Sequence, residues 1–328
     1  MEDTAKAFWV QRPGVGEIRD APILPLRDGE VRVRALYSGI SRGTEARVFR
    51  GEVPPSQRAV MRAPFQEGEF PGPVKYGYMS VGVVEEGAGL RGRELQGRTV
   101  FCLHPHQDRY VVPAAAAIPL PHGLPPERAV LAANMETAVN GVWDARPAVG
   151  DRILVVGGGV VGMLVAWLLA RIPGVGLLLV DPNPARGPVA LELGVVFAGT
   201  VPRDYDADLV IHASGSPGGL ADALKAAAQE ATVVELSWFG DDPVPLPLGE
   251  GFHPRRLTLR SSQVGHIPPH QRPRWDPRRR LELALTLLND PALDALITGE
   301  SPFRDLPAVM ERLARDGGDV LCHRIRYP

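Results

Sequence analysis

The feature that most constrains this chain is a glycine-rich loop between a buried-type strand and a helix. The apolar run 153–156 leads into a loop in which Gly157, Gly159 and Gly162 have the G-x-G-x-x-G spacing, and a helical segment follows at 163–170. The first glycine permits a tight turn, the second lets the backbone approach a pyrophosphate, and the third lets the helix pack on the strand. The helix amino terminus adds free N–H groups and the positive end of its dipole. The loop therefore predicts a dinucleotide site.

An acidic residue supports this site and favours one cofactor. Asp181 ends the next strand, nineteen residues after Gly162. Its carboxylate is placed to accept hydrogen bonds from both ribose hydroxyls, which favours NAD because a 2′-phosphate would be repelled. Arg186 lies five residues further on and could reduce that repulsion, so NADP stays an alternative. The other interpretation of the same residues is a Rossmann-type fold that has lost its nucleotide.

Apolar runs alternate with helical segments around this loop. The runs lie at 153–156, 177–180, 209–213 and 232–236. Such alternation predicts βαβ units and a parallel sheet covered on both faces, which makes the fold class α/β. In residues 1–126, short strand-like runs are separated by turns rich in glycine and proline, as in a mostly β domain. Helices are expected at 279–288 and 306–315, and a last strand is expected at 320–326.

Charge and cysteine content exclude several classes of protein. Thirty-six basic and 38 acidic side chains give a net charge of −2, which exerts no pull on nucleic acid or an anionic membrane. Only Cys102 and Cys322 are present, so a disulfide framework and a four-cysteine zinc site are excluded. The most apolar stretch, 159–180, is interrupted by Arg171 and Pro173 and does not predict a membrane helix. The amino-terminal residues carry no export signal, so we expect a cytoplasmic location.

Further motifs stand in order along the chain. Segment 38–45 is Ser-Gly-Ile-Ser-Arg-Gly-Thr-Glu, segment 77–82 is Gly-Tyr-Met-Ser-Val-Gly, and segment 296–298 is Leu-Ile-Thr. Through these motifs and the glycine loop, the chain resembles the medium-chain dehydrogenase/reductase superfamily over nearly its full length. Segment 38–45 is most similar to the bacteriochlorophyllide a dehydrogenase subgroup, which oxidises a hydroxyethyl side chain on a tetrapyrrole.

The resemblance implies a domain organisation. A GroES-like catalytic β domain is expected at residues 1–126, followed by a Rossmann dinucleotide-binding domain at 127–266. Residues 267–328 are then expected to return the chain to the catalytic domain.

The chain departs from this family where the resemblance places a catalytic zinc. Ser41 occupies the cysteine position, Tyr78 the histidine position and Met79 the glutamate position, and the third-ligand region 132–136 has no cysteine. Zinc in such sites needs thiolate and imidazole donors held tetrahedrally, and these side chains are poor substitutes. We therefore predict that no zinc is bound. The alternative is an unusual metal site built from His104, His106 and Glu45.

Four residues are candidates for chemistry without a metal. Hydride transfer requires a positioned carbon, a stabilised oxygen charge and a route for a proton. The resemblance places Tyr78 at the reacting oxygen, although its ring could instead merely fill the vacated metal pocket. His104 falls where the substrate pocket is lined and could move a proton, or it lies in a surface loop. Glu45 could orient Tyr78 or Arg42, act as a base, or only support a helix amino terminus, and Ser41 could relay a proton.

The resemblance also assigns residues to the cofactor. Arg42 matches a position that contacts the pyrophosphate, and Thr137 and Val161 match positions that pack against the nicotinamide. Ser237 follows the fourth apolar run and is expected near the carboxamide.

Partners are predicted from two further segments. The strand-like segment 256–262 could form a sheet edge, and the resemblance implies pairing of Rossmann domains at such an edge, so we expect a homodimer. The arginines within 272–280 are interpreted as a solvated loop that runs into a helix. Their alternative role is a rim that attracts a carboxylated or phosphorylated substrate. We expect a small-molecule substrate, and neither nucleic acid nor membrane as a partner.

Together these observations predict a zinc-independent NAD(P)-dependent oxidoreductase that acts on an alcohol/ketone pair. One alternative is a zinc-free reductase of an activated C=C bond, of the enone or quinone type. Another is a catalytically silent dinucleotide-binding scaffold.

Overall fold

The computed structural model describes residues 4–328, so the first three residues of the segment used to judge export lie outside the described part. The chain divides into two compact units. The first unit comprises Met1–Ala133 and Leu285–Pro328, and the second comprises Asn134–Ala284. Both boundaries lie later than the predicted ones at 126/127 and 266/267.

Local contacts explain where the units divide. The helix Pro126–Ala129 packs against strands of the first unit, so it stays with that unit. Arg280, which is buried, bonds Glu136 through Nε at 3.1 Å and also bonds Asn140 through Nη1. These bonds attach the beginning of the helix Pro277–Leu287 to the second unit.

The strands and helices are numbered in chain order. The strands are β1 (Thr4–Arg12), β2 (Val15–Pro22), β3 (Glu30–Ile40), β4 (Glu67–Gly68), β5 (Val74–Lys75), β6 (Ser80–Gly87), β7 (Thr99–Cys102), β8 (Arg109–Pro113), β9 (Ile118–Pro119), β10 (Arg152–Val156), β11 (Gly176–Val180), β12 (Phe197–Ala198), β13 (Ala207–His212), β14 (Ala227–Glu235), β15 (Thr258–Ser261), β16 (Ile297–Pro302) and β17 (Cys322–Arg326). The α-helices are α1 (Arg42–Arg50), α2 (Gly89–Leu95), α3 (Pro126–Ala129), α4 (Ala132–Ala145), α5 (Val160–Leu169), α6 (Arg186–Glu192), α7 (Pro217–Ala226), α8 (Pro277–Leu287) and α9 (Leu306–Arg315).

Two sheets form the first unit. The larger has the order β16-β17-β3-β6-β7-β9, with β8 also paired to β3, and the smaller has the order β2-β1-β5-β4. Strand β3 shows the alternation of a half-buried strand, because Val31, Val33 and Ala35 are fully buried and the residues between them are not. The neighbours β3, β6 and β7 are antiparallel, with Ser38 opposite Ser80 and Ser80 opposite Cys102.

The second unit contains the parallel sheet that the apolar runs predict. Its order is β12-β11-β10-β13-β14-β15, and each neighbouring pair is parallel. Runs rich in valine, leucine and isoleucine form the central strands because both faces of a parallel sheet are covered. The chain order of the strands reverses between β10 and β13, which defines the edge where ligands bind in such sheets.

The tail follows the predicted pattern, with helices α8 and α9 and the last strand β17 close to their expected positions. The apolar stretch 159–180 divides into helix α5 and strand β11. None of the helices within residues 4–328 has the length and apolar character needed to cross a membrane.

Candidate active site

The glycine loop after β10 has little room for side chains. Gly157 has a φ of +111°, and a Cβ on it would lie 2.6 Å from the backbone nitrogen of Ser214. A Cβ on Gly162 would lie 1.8 Å from the carbonyl oxygen of Gly157, so no side chain fits there. Around Gly159, by contrast, nothing lies within 4 Å of a built Cβ. The loop therefore packs closely at two glycines and leaves open space at the third.

That open space lies at the amino terminus of α5. Gly159 is the N-cap residue, and no side chain caps this helix. The first intrahelical bond runs from the Met163 N–H to the Gly159 carbonyl, at 2.9 Å. The N–H groups of the preceding residues, including half-buried Val161, have no helical acceptor, and these groups suit an anionic ligand.

Asp181 follows β11 and is held by backbone bonds. Its Oδ2 accepts the Gly158 N–H at 2.7 Å and its Oδ1 accepts the Asn183 N–H at 2.9 Å. Each carboxylate oxygen keeps a further lone pair for a ligand hydroxyl. Arg186 is buried on the same side of the glycine loop as Asp181. Its Cγ lies 3.2 Å from the position that a Cβ on Gly158 would occupy. The two charged residues that bear on the choice between NAD and NADP, Asp181 and Arg186, therefore both flank Gly158.

The remaining cofactor candidates are distributed over both units. Thr137 is half-buried in α4, and Ser237 follows β14, where its Oγ accepts the Gly215 N–H at 3.0 Å. Arg42 begins α1 in the first unit. Its guanidinium group packs against Gly317 of the same unit and leaves no space there for a side chain.

The register of the large sheet brings the catalytic candidates of the first unit together. Strand β3 ends just before Ser41, β6 begins just after Tyr78, and β7 ends just before His104. Because these neighbouring strands are antiparallel, Ser41, Tyr78 and His104 all lie beyond the same end of the strands.

The Tyr78 hydroxyl is held by two other hydroxyl groups. It makes side-chain hydrogen bonds with Ser41 and Thr44. Burial, together with the negative charge of Glu45, raises the pKa of Tyr78 to about 12. The ring of Tyr76 meets the Tyr78 ring edge-on, with centroids 6.0 Å apart. The phenol therefore keeps its proton at neutral pH.

Glu45 lies in the first turn of α1 and is almost fully buried. Its Oε1 accepts the Ser41 N–H at 2.8 Å, and its Oε2 lies 2.8 Å from His106 Nε2. The bond to Ser41 supports the amino terminus of α1. Since a carboxylate only accepts, His106 Nε2 carries the proton in this pair.

The hydrogen bonds continue from His106 to the carboxyl-terminal tail. His106 Nδ1 lies 2.7 Å from Ser38 Oγ, and that oxygen lies 3.0 Å from the Tyr327 hydroxyl. Ser38 therefore links the His106 imidazole to the Tyr327 hydroxyl, and one buried chain of hydrogen bonds runs from Glu45 to Tyr327. The sequence analysis names His106 only in the alternative metal site and does not single out Ser38 or Tyr327. Ser38 begins the motif 38–45, whereas the tail gives no local signal for Tyr327.

His104 is buried rather than part of a surface loop, and only 4% of it is exposed. Its ring stacks on Tyr110 with centroids 3.7 Å apart, and the Phe65 ring lies at 5.5 Å. Nδ1 donates to the Pro105 carbonyl at 2.9 Å, which leaves Nε2 as an acceptor. Burial and then the Lys75 charge lower the pKa of His104 to about 3. At neutral pH this imidazole can accept a hydrogen bond but holds no extra proton.

The low pKa of His104 predicts that stability depends on pH. The folded protein holds this proton less tightly than the unfolded chain, whose imidazole pKa is near 6.5. This stability is fully present above pH 6.5 and is lost as the pH falls toward 3, by up to about 1.4 kcal/mol per pH unit. We expect urea unfolding at pH 7 and pH 4.5 to show a smaller loss of stability in His104→Gln than in the unmodified protein. Equal losses would contradict this assignment.

The donor set does not fit the zinc that the fold family implies. Ser41 and Tyr78 bond to each other, and Met79 is fully buried in the core. In the alternative set, both ring nitrogens of His106 are already bonded and Glu45 is one of its partners. Across residues 4–328, no group of three or more His, Cys, Asp or Glu side chains is arranged to hold a metal ion.

Comparisons with known proteins agree with this architecture. No protein-family model matches the chain. The 2-desacetyl-2-hydroxyethyl bacteriochlorophyllide A dehydrogenase of Rhodobacter capsulatus is 30% identical over 294 residues, which cover 84% of this chain and 83% of that protein. The D-guloside 3-dehydrogenase of Escherichia coli is 25% identical over 292 residues, which cover 81% of this chain and 82% of that protein.

Solved structures share the fold. An Escherichia coli alcohol dehydrogenase complexed with NADH has a TM-score of 0.78 at 18% identity, covering 98% of this chain and 99% of that one. A zinc-binding dehydrogenase of Sinorhizobium meliloti bound to NADP has a TM-score of 0.78 at 20% identity, covering 99% of each chain. At these identities the likeness shows the fold alone.

The fold and the relatives together define a dehydrogenase built from a GroES-like β unit and a Rossmann unit, as the sequence predicted. The chain belongs to the medium-chain dehydrogenase/reductase superfamily, and it is an enzyme.

Proposed function

We propose that this protein is a zinc-independent, NAD(P)-dependent oxidoreductase that transfers a hydride between nicotinamide and an alcohol/ketone substrate. The observation that carries the proposal is that Ser41 and Tyr78, bonded to each other, stand at positions where the family resemblance places zinc donors. The relatives support the substrate class, because their names describe dehydrogenation of a guloside and of a hydroxyethyl bacteriochlorophyllide.

The second unit is proposed to hold the cofactor. The open helix terminus at Gly159 suits the pyrophosphate, and the free lone pairs of Asp181 suit the hydroxyls of the adenosine ribose. We favour NAD, because the carboxylate of Asp181 repels a 2′-phosphate. Solved neighbours of the same fold contain NADH in one case and NADP in another, so the preference must be measured. When bound, the nicotinamide ring takes up or gives the hydride.

The first unit is proposed to act on the substrate oxygen. Tyr78 donates a hydrogen bond to that oxygen and stabilises the negative charge that develops there when the hydride reaches the carbonyl carbon. The phenol then gives its proton to this oxygen to form the alcohol, and water returns a proton to the phenol; oxidation of the alcohol is the reverse of these steps. Ser41 and Thr44 orient the phenol. His104 accepts a hydrogen bond from a substrate hydroxyl through Nε2, which has no other partner among the described residues. Glu45 holds Ser41 in place through the backbone bond at 2.8 Å.

Three measurements test the proposal. The first is a fluorescence titration of metal-free protein with NADH and then with NADPH. The second is a screen of ketones and sugars with NADH deuterated at C4. Label on a carbinol carbon supports the proposal, whereas label β to a carbonyl would show a C=C reductase.

The third measurement is metal analysis with chelator treatment, since turnover that requires zinc would overturn the metal-free assignment. Cofactor binding without any turnover would leave a silent scaffold.

Asp181→Asn is expected to change the cofactor preference. The amide can accept only at its oxygen, so the NADH Kd should rise about tenfold or more, because hydrogen bonds to a charged group contribute about 1.5–3 kcal/mol. Removal of the charge should also shift the preference toward NADPH, because Arg186 remains beside Gly158. The measurement is the ratio of the two Kd values.

Asp208→Asn is a matched control for this change. Asp208 also accepts a backbone N–H within the same sheet, from Arg152 at 2.8 Å, but it lies at the beginning of β13. Asp208→Asn should leave the affinities for NADH and NADPH unchanged. An unchanged ratio in Asp181→Asn would remove Asp181 from the cofactor site.

We also propose a homodimer formed through strand β15. This strand lies at the edge of the six-stranded sheet, and Thr258, Arg260 and Ser261 are exposed on it. An uncovered edge presents unpaired N–H and C=O groups that a second copy can pair. Light scattering would give a dimer mass if the proposal holds and a monomer mass if it does not.

A further inference from the structure

Lys75 is a buried cation close to the proposed catalytic residues of the first unit. It ends the short strand β5, three residues before Tyr78, and only 3% of it is exposed. Its ammonium forms a salt bridge with the exposed carboxylate of Glu67 and donates to Gln107 Oε1 at 2.7 Å. Since an ammonium carries three N–H groups, one of them has no acceptor among the described residues. The proposed hydride transfer makes no use of Lys75.

His104 supplies a free acceptor close to this donor. Its Nδ1 donates to the Pro105 carbonyl, so the neutral ring keeps a lone pair on Nε2. Within residues 4–328, Nε2 has no partner, yet it is not one of the fully buried atoms that lack one, so it reaches space that a ligand can enter. Lys75 bonds Gln107 in the loop that also holds His104, and its charge is the second cause, after burial, of the low His104 pKa.

A hydroxyl group is the ligand that satisfies both residues. Its oxygen accepts the free Lys75 N–H, and its proton is donated to His104 Nε2. A carboxylate would suit Lys75 but would set its own lone pairs against the lone pair of Nε2, and Glu67 already balances the Lys75 charge. An alkyl group would leave a donor and an acceptor without partners in a buried place, which is unfavourable.

This hydroxyl is distinct from the oxygen that reacts, which is proposed to bind Tyr78. Ser80 and Cys102 are opposite each other on β6 and β7, and Tyr78 and His104 each follow two residues beyond that pair, at the same end of the strands. Opposite residues of paired strands have Cβ atoms about 5 Å apart. That spacing suits a substrate whose two oxygens lie on neighbouring carbon atoms.

We propose that Lys75 is a specificity-determining residue that, together with His104, binds a hydroxyl group on the carbon next to the substrate carbonyl. The substrate class is then an α-hydroxy ketone, which reduction converts to a vicinal diol. Glu67 and Gln107 are positioning residues that hold the ammonium. The inference rests on the proposed function, because it requires a carbonyl group that the enzyme reduces.

The test compares three ketones that differ in one substituent: acetone, hydroxyacetone and pyruvate. Initial rates with NADH give kcat/KM for each ketone in the unmodified protein and in Lys75→Met, which removes the N–H groups but keeps an unbranched side chain. The ratio of kcat/KM for hydroxyacetone to that for acetone should fall about 10- to 100-fold in the variant, the equivalent of one lost hydrogen bond to a charged group. A general loss of activity affects both ketones and leaves this ratio unchanged.

Lys6→Met is the matched control. Lys6 lies on the neighbouring strand β1 and also pairs with a carboxylate, that of Asp20 at 2.5 Å, but its side chain is exposed. The ratio in Lys6→Met should equal that of the unmodified protein. Melting curves establish that each variant is folded.

His104→Phe tests the same hydroxyl from the other side and does not depend on the folding of Lys75→Met. It keeps an aromatic ring against Tyr110 and leaves the Lys75 salt bridge intact, but it removes the acceptor. The ratio of hydroxyacetone to acetone should fall about threefold to tenfold.

An unchanged ratio in Lys75→Met or in His104→Phe would overturn the inference. A larger fall in kcat/KM for pyruvate than for hydroxyacetone in Lys75→Met would also overturn it, because Lys75 would then bind a carboxylate. If the unmodified protein binds NADH but reduces neither these ketones nor any other carbonyl compound of the screen, the proposed function fails instead.

Discussion

Tyr78→Phe is expected to lower kcat about 100- to 1,000-fold, the usual cost of removing one donor that stabilises charge on a reacting oxygen. The NADH Kd should stay unchanged, because the Tyr78 hydroxyl is proposed to bind the substrate oxygen and not the cofactor. The measurement is steady-state turnover of the ketone identified in the screen. In the unmodified enzyme, a Tyr78 pKa of about 12 should keep the phenol active beyond pH 10, where a free tyrosine ionises.

Tyr76→Phe is a matched control for this prediction. Tyr76 is also buried, and its hydroxyl donates to the Met61 carbonyl at 3.1 Å. Its removal should cost about 1 kcal/mol of stability and little of kcat. If Tyr78→Phe retains full turnover, then the tyrosine merely fills the space where the family resemblance places a catalytic zinc.

Gly162→Ala is expected to weaken cofactor binding strongly, with the NADH Kd raised about 100-fold or more. The added methyl group would lie 1.8 Å from the Gly157 carbonyl oxygen, so the turn before α5 has to move. The second unit should also lose about 1–3 kcal/mol of stability, as overpacked sites do. Titration with NADH and urea unfolding measure the two effects.

Two other glycines separate binding from folding. Gly159→Ala places a methyl group in open space, so the free energy of unfolding should fall by only about 1 kcal/mol, the usual cost of a poorer N-cap residue. NADH binding should nevertheless weaken. Gly176→Ala, at the beginning of β11, also meets nothing within 4 Å and should change neither property. Normal NADH affinity in Gly159→Ala would show that the pyrophosphate does not lie at this helix terminus.

The second unit was predictable because its signals are local. A valine- and leucine-rich strand, a glycine loop and an apolar helix follow one another within the segment 152–169, and each restricts the backbone of its own residues. Asp181 was found in the same way, because it lies directly after a strand whose position the apolar pattern predicts. The contact of His212 Nδ1 with Glu235 Oε2, at 2.6 Å, was missed, since two polar residues at strand ends reveal their contact only once β13 and β14 are paired.

In the first unit, the candidate residues were found through family motifs, but their chemistry was not. Sequence gave His104 the role of a proton carrier, yet burial against Tyr110 and the charge of Lys75 lower its pKa to about 3. Solvent exclusion depends on the surrounding elements, so a pattern of neighbouring residues does not determine it.

The sequence by itself determined the α/β class, the alternation of strands and helices in the second unit, and the glycine loop with its acid, because backbone preference and side-chain periodicity act within a few residues. Only the tertiary structure decided that Glu45, His106, Ser38 and Tyr327 form one buried chain of hydrogen bonds. Ser38 and Tyr327 are 289 residues apart, and their contact exists because β17 pairs with β3. The identity of a hydrogen-bond partner, and with it the proton a side chain holds, depends on how distant strands are paired and on the burial that follows.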